Sequence, residues 1–126
     1  MAKSKIVVTG VAVLVLLAAA VMAKAESGQV SQVVYITKSK ACGCSAKIVQ
    51  AADALVDRTF TGPRQALLKR IDYDTDRQAA LPYIGQFRLI RLPALLFLDD
   101  RGHLLWSAVG EVEPKQVAQK LDQLGG

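Results

Sequence analysis

The turn Asp99-Asp100-Arg101-Gly102 constrains the fold of this chain more than any other feature. It joins two apolar runs, Ala94–Leu98 and His103–Val109, through a connection too short for anything but an antiparallel hairpin, and Gly102 is able to take the positive φ such a turn uses. Upstream, strand-like runs are separated by helical ones. Val33–Thr37 is β-branched and aromatic and apolar on both faces, which predicts a buried central strand. Ser45–Arg58 predicts a helix with Ile48, Ala51, Ala52, Leu55 and Val56 on one face and Lys47, Gln50, Asp53 and Asp57 elsewhere. After the break at Thr61-Gly62-Pro63, Ala66–Tyr73 alternates as a strand. A helix capped by Asp74 or Asp76 then runs to about Phe87, kinked or restarted at Pro82. Arg88–Leu92 is a loop, and Pro93 opens the strand Ala94–Leu98. Glu113–Leu124 closes the chain as an amphipathic helix, with Pro114 in its first turn and Val117, Ala118, Leu121 and Leu124 facing inward. The order is β-α-β-α-β-β-α. Strands separated by helices predict parallel pairing and the hairpin predicts one antiparallel pair, so the fold class is α/β, a mixed central sheet flanked by helices. Phe97 and Trp106 are predicted to pack in its core. At 126 residues the chain suits one domain.

The N-terminus is different in kind. Lys3 and Lys5 precede an apolar run from Ile6 to Met22, broken only by Thr9 and Gly10, and Ala23-Lys24-Ala25 follows it. A basic start, an apolar stretch and an A-x-A exit describe a secretory signal peptide cleaved after Ala25. The alternative is a retained hydrophobic helix. Ile6–Ala23 as a helix spans roughly 27 Å, enough to anchor the chain in a membrane. On either reading residues 1–25 are signal or anchor, 26–32 a linker and 33–126 the folded domain, located outside the cytoplasm: periplasmic, secreted or tethered to the inner membrane. Of the 16 Lys and Arg, three lie in the first 25 residues, and none of the 11 acids does. The remainder therefore carries a net charge of only +2 and no basic stripe with interleaved aromatics, which argues against a nucleic-acid partner.

The two cysteines, Cys42 and Cys44, are one residue apart, so a bridge between them closes almost no loop and stabilises little. Such a pair is better explained by chemistry. It stands where a polar loop, Lys38–Ala41, meets the start of a helix. Unsatisfied N–H groups and the helix dipole at that position favour a thiolate, and Lys38 and Lys40 just upstream add positive charge. An accessible thiolate beside a second thiol is the minimum needed for thiol–disulfide exchange. Gly43 is the residue best able to adopt the non-helical backbone that a Cys42–Cys44 bridge requires, because residues two apart on a helix point about 200° apart.

From about Val33 to Leu124 the chain resembles the thioredoxin-like superfamily. The resemblance rests on the strand-loop-cysteine-helix unit, on Tyr83–Phe87 leading into Arg91-Leu92-Pro93-Ala94-Leu95-Leu96-Phe97, and on the hairpin, Gly110 and the final helix. It implies that Cys42 is the attacking cysteine, Cys44 the resolving one, and Pro93 a cis-proline packed against Cys42. It also implies that the backbone at Leu92 binds an extended substrate segment by strand addition. Base rates favour the alternative for Pro93, an ordinary trans proline opening a strand. The implied activity is exchange with protein thiols or disulfides, recharged by a membrane or periplasmic redox partner, with no cofactor and no metal. The chain departs from the family's usual form in four ways. The first strand and helix are missing; the motif is C-x-C, with Ser45 where the second cysteine normally falls. Ala41 replaces an aromatic, and Ile36 replaces a buried acid that manages proton transfer.

Two other functions fit the same residues. Two thiolates can hold a soft metal such as Cu(I), although the sequence lacks a methionine-rich tract and His103, alone on the hairpin, reads as a surface residue. A non-catalytic interaction module would keep the fold and use its groove. Asp72, Asp74 and Asp76 alternate after a strand but lack the glycine and distal glutamate of a calcium loop, which leaves helix capping and solubility as their reading.

Overall fold

The computed structural model describes residues 28–126, so the apolar N-terminal segment and its cleavage or anchoring lie outside the described residues. The elements are β1 (Gln32–Thr37), α1 (Gly43–Thr59), a 3-10 helix (Gly62–Leu67), β2 (Leu68–Asp72), α2 (Arg77–Phe87), β3 (Ala94–Leu98), β4 (Leu104–Val109) and α3 (Pro114–Leu124). They form a mixed four-stranded sheet in the order β2-β1-β3-β4.

β1 and β3 are central and apolar on both faces because each face is covered. On one side Val33, Tyr35, Leu95 and Phe97 pack against Ala52, Leu55 and Val56 of α1 and Val117 and Leu121 of α3. On the other, Val34, Ile36, Leu96 and Leu98 pack with Ile71 against Ala80 of α2. The alternation is the two-residue period of a strand, and each such large side chain taken fully out of water contributes about 1.5–3 kcal/mol. Phe97 meets the half-buried Trp106 edge-on at 5.1 Å between ring centroids.

Pairing differs from the expectation in one respect. β1 and β2 are parallel and β3 and β4 antiparallel, but β1 and β3 are also antiparallel, with Ile36 opposite Ala94. β2 ends opposite Thr37, at the sheet edge where β3 begins, so α2 returns the chain to the edge it left. The helix does not carry the chain along the strands, and a reversed β3 follows.

Smaller differences from the expectation are local. α1 starts at Gly43, two residues before the predicted Ser45, and its buried face is Val49, Ala52, Leu55 and Val56, with Ile48 half-buried and Ala51 exposed. Ala66 and Leu67 belong to the 3-10 turn opened by Pro63, and β2 starts only at Leu68. α2 continues through Pro82, which is exposed, so the carbonyl that loses its helical partner can reach water. Ala118 is exposed, leaving Val117 and Leu121 as the buried contacts of α3. The fold also begins inside the predicted linker: Val30 is buried, its N–H donates to the Leu124 carbonyl at 2.9 Å, and the Ser31 N–H donates to Leu98 at 2.8 Å.

Candidate functional site

Four chain segments meet at the sheet edge defined by the end of β1: the loop after β1, the turn after β2, the loop before β3 and the loop after β4. The first carries Cys42. Its residue is the N-cap of α1, with extended backbone (φ −80°, ψ 163°), and its carbonyl accepts the Ser45 and Ala46 N–H groups at 2.9 and 3.0 Å. Gly43 and Cys44 form the first turn. Both thiols are free and exposed, the first turn holds no acidic side chain, and no side chain caps the helix start. The thiols thus stand beside unpaired backbone donors at the positive end of a helix dipole.

The position of Cys42 is held from the neighbouring turn. Asp72 accepts the Ser39 N–H at 3.1 Å and the Asp74 N–H at 3.0 Å, both on Oδ1. Asp74 accepts the Lys40 N–H on Oδ2 at 2.7 Å and the Lys38 ammonium on Oδ1 at 3.2 Å. The Lys40 N–H, with lesser help from Lys38, holds the Asp74 carboxyl below the usual carboxylate range. Desolvation pushes Asp72 upward, but the Ser39, Asp74 and Thr75 hydrogen bonds together outweigh it and its carboxyl too lies low. Asp76 alone has the predicted capping role, accepting the Ala79 N–H at 3.4 Å. Sequence reasoning missed the staple made by Asp72 and Asp74. The available signal was two carboxylates at the end of a strand that runs parallel to the strand leading into Cys42.

The proposed tuning residues divide. Lys38 is committed to Asp74 and lies over the Tyr73 ring, whereas Lys40 is exposed and is tied only through its backbone. Gly43 is open, with nothing within 4 Å of where a Cβ would stand.

Pro93 ends the third segment. The Leu92–Pro93 peptide bond is cis, the proline is fully buried, and its carbonyl accepts the Gly110 N–H at 2.7 Å. Leu92 is half-buried against the α2 face of the sheet. Gly110 has φ +79°, and a Cβ there would lie 2.8 Å from Nε of Arg91, so the guanidinium of Arg91 lies across this glycine. Cys42 and Pro93 therefore share one sheet edge. Beside α1's first turns, Lys47, Ile48 and Ala51 line a groove of about 310 Å³ with Glu111, Val112 and Pro114. Ile48 is four residues from Cys44, which puts the two on one helix face.

A second polar cluster lies farther along α1. Asp53 receives the Tyr35 hydroxyl at 2.6 Å and the Thr37 hydroxyl at 2.7 Å, and Arg70 bridges it to Asp57 at 3.2 and 2.6 Å. Burial, reinforced by Asp53, raises the Tyr35 phenol well above its ordinary value, so it remains a donor. Asp53 is nine residues past Cys44, about 14 Å along the helix, and so does not substitute for the acid missing at Ile36. Its role is to satisfy buried hydroxyls.

His103 is exposed at the hairpin, 3.4 Å from Asp99. Among the described residues no group of three His, Cys, Asp or Glu side chains is arranged to hold a metal ion, and no helix is long and apolar enough to cross a membrane.

No protein-family model matches the chain, and no curated protein matches its sequence. Solved structures do resemble it. A thioredoxin of Malassezia sympodialis (Mala s 13) superposes with a TM-score of 0.53 at 17% identity, over 82% of this chain and 83% of that one. Trxlp from Edwardsiella tarda gives 0.53 at 18% identity, covering 81% and 91%. The C-terminal domain of Neisseria meningitidis DsbD, in its reduced form, gives 0.52 at 14% identity, covering 89% and 96%. At these identities the likeness is one of architecture alone: the chain has a thioredoxin-like fold.

Proposed function

We propose that the protein carries out thiol–disulfide exchange outside the cytoplasm, with Cys42 as nucleophile, Cys44 as resolving thiol and the Leu92–Pro93 segment as part of the substrate groove. The observation that carries this reading is the placement of an exposed cysteine at the N-cap of α1, on the sheet edge it shares with Pro93. Similarity to a thioredoxin and to a DsbD domain supports it at the level of fold.

The Cys42 thiolate attacks one sulfur of a partner disulfide. A Cys42–partner bond forms, the partner S–S bond breaks, and the second partner sulfur leaves as thiolate. Attack by the Cys44 thiolate then releases the first partner sulfur and leaves a Cys42–Cys44 disulfide, so two electrons pass to the partner. Run backwards, the sequence oxidises a dithiol. Closing the bridge requires Gly43 and Cys44 to leave helical geometry, and open space around Gly43 permits this. Export, by cleavage after Ala25 or by tethering through residues 6–23, places the site where disulfides persist.

A redox titration of the full-length chain in glutathione buffers, read by thiol alkylation and intact mass, tests this. A reversible two-electron transition lost in both Cys42→Ser and Cys44→Ser is expected. Absence of an internal disulfide at every poise would falsify the dithiol mechanism, and unchanged exchange in Cys42→Ser would reassign the nucleophile.

A further inference from the structure

The loop before Pro93 presents an unusual surface. Ile90 is 91% exposed, the most exposed of the large apolar side chains among the described residues. It stands between Arg88, held in left-handed backbone at φ +51°, and Arg91, and both arginines are exposed. Among the described residues neither arginine forms an ion pair, nor does Lys40 across the same sheet edge. Of the nearby acids, Asp72 and Asp74 are bonded, and Glu111 and Glu113 form no ion pair among the described residues. Asp72 and Asp74 hold the Ser39–Lys40 backbone and Lys38, while Glu111 and Glu113 line the groove beside Lys47 and Ile48. Arg91 lies over Gly110, whose N–H is bonded to the Pro93 carbonyl, so its charge sits on the Pro93 side of the site.

We infer that the Arg88–Arg91 segment selects a protein partner whose reacting cysteine lies in an acidic segment bearing an apolar residue. This rests on Cys42 being the reacting thiol. A carboxylate beside the partner cysteine pairs with Arg91, or with Arg88 at the loop's other end, while Ile90 covers the apolar side chain. Exposed charge pairs contribute little individually, so the preference is set by several cations acting together and weakens with salt.

The test uses the full-length chain carrying Cys44→Ser, which leaves Cys42 as the sole thiol. Two peptides of equal length, each with one cysteine and one leucine, carry either glutamate or lysine around the cysteine; glutathione is the third probe. All are supplied as 2-thiopyridyl mixed disulfides. Cys42 attacks the peptide sulfur, a Cys42–peptide disulfide forms, and the thiopyridyl group leaves with the electron pair, giving an optical signal. The glutamate peptide is expected to react about tenfold faster than the lysine peptide at low salt, the scale of a few exposed ion pairs. Arg91→Gln should lower that ratio about threefold by slowing the acidic peptide and speeding the basic one, a crossing that simple loss of structure does not produce. Equal rates for the two peptides, or a ratio unmoved in Arg88→Gln/Arg91→Gln, would overturn the inference. So would an Arg91 effect confined to glutathione, which would assign the cations to a small anionic thiol. Release of the peptide thiol by the chain with both cysteines reports separately on the exchange reaction. Its failure would count against that reaction and leave the peptide ratio readable.

Discussion

Asp74 accepts the N–H of Lys40 at 2.7 Å, two residues before Cys42, and so fixes from another strand's end the loop that delivers the first thiol. A loop of five residues between a buried strand and a helix has few backbone partners of its own. Removing the acceptor therefore acts on the loop before it acts on the fold. Asp74→Ala is expected to raise amide hydrogen exchange at Lys40 by about tenfold, the effect of one lost hydrogen bond, while amides of α1 beyond Val49 keep their rates. Unchanged exchange at Lys40 would show that the loop is held by other means.

The same contact is pH-dependent. Asp72 and Asp74 have carboxyls held below the ordinary 3.8. A depressed folded-state value means the ionised form is favoured by folding. The contribution is thus complete above the ordinary carboxylate range and is lost as pH falls through the depressed value. The Ser39 and Lys40 amide proton resonances should titrate with midpoints below 3.8. Midpoints at or above that value would show that the carboxylates gain nothing from the loop.

The Tyr35–Asp53 pair has a different energetic character because the phenol is buried. Tyr35→Phe removes one of the donors to Asp53 and should cost about 1 kcal/mol in denaturant unfolding. Asp53→Ala strands the buried Tyr35 and Thr37 hydroxyls together and should cost more, about 2–3 kcal/mol. The order of the two variants is the informative result, and the reverse order would mean that water satisfies the hydroxyls.

Two glycines should respond oppositely to alanine. Gly110 combines φ +79° with Arg91 at 2.8 Å from the would-be Cβ, so Gly110→Ala should destabilise by about 1–2 kcal/mol and displace Arg91. Gly43 is helical with open space around it, and Gly43→Ala should leave the dithiol form unchanged or stabilise it by up to about 1 kcal/mol. Thermal unfolding under reducing conditions measures both.

Phe97 is fully buried and edge-on to Trp106. Phe97→Ala should cost about 3–5 kcal/mol, the range for removing a core aromatic, and shift the emission of the chain's one tryptophan toward that of a wetter environment. A loss below 1 kcal/mol would mean that the core refills.

Much of this molecule is legible in its sequence, for local reasons. Apolar residues on both faces of Val33–Thr37 and Ala94–Leu98 require two covered faces, which only central strands have. Asp99–Gly102 dictates the hairpin because no other geometry closes so short a turn. The cysteines stand at a helix start because Lys38–Ala41 cannot continue the strand and the apolar helical period begins just after Cys44. Each of these depends on residues within a few positions of one another. What only the tertiary structure decided depends on contacts between distant parts of the chain. The reversal of β3 against β1 follows from α2 returning to the edge it left, which no periodicity encodes. The grip of Asp72 and Asp74 on the Cys42 loop spans more than 30 residues and exists only because β2 lies parallel to β1 in one register. Arg91 comes to rest over Gly110 because β3 and β4 pair with Ala94 opposite Val109, bringing the loop before one strand beside the loop after the other. Local pattern determines which elements form; strand order and register determine which side chains those elements place beside the thiols.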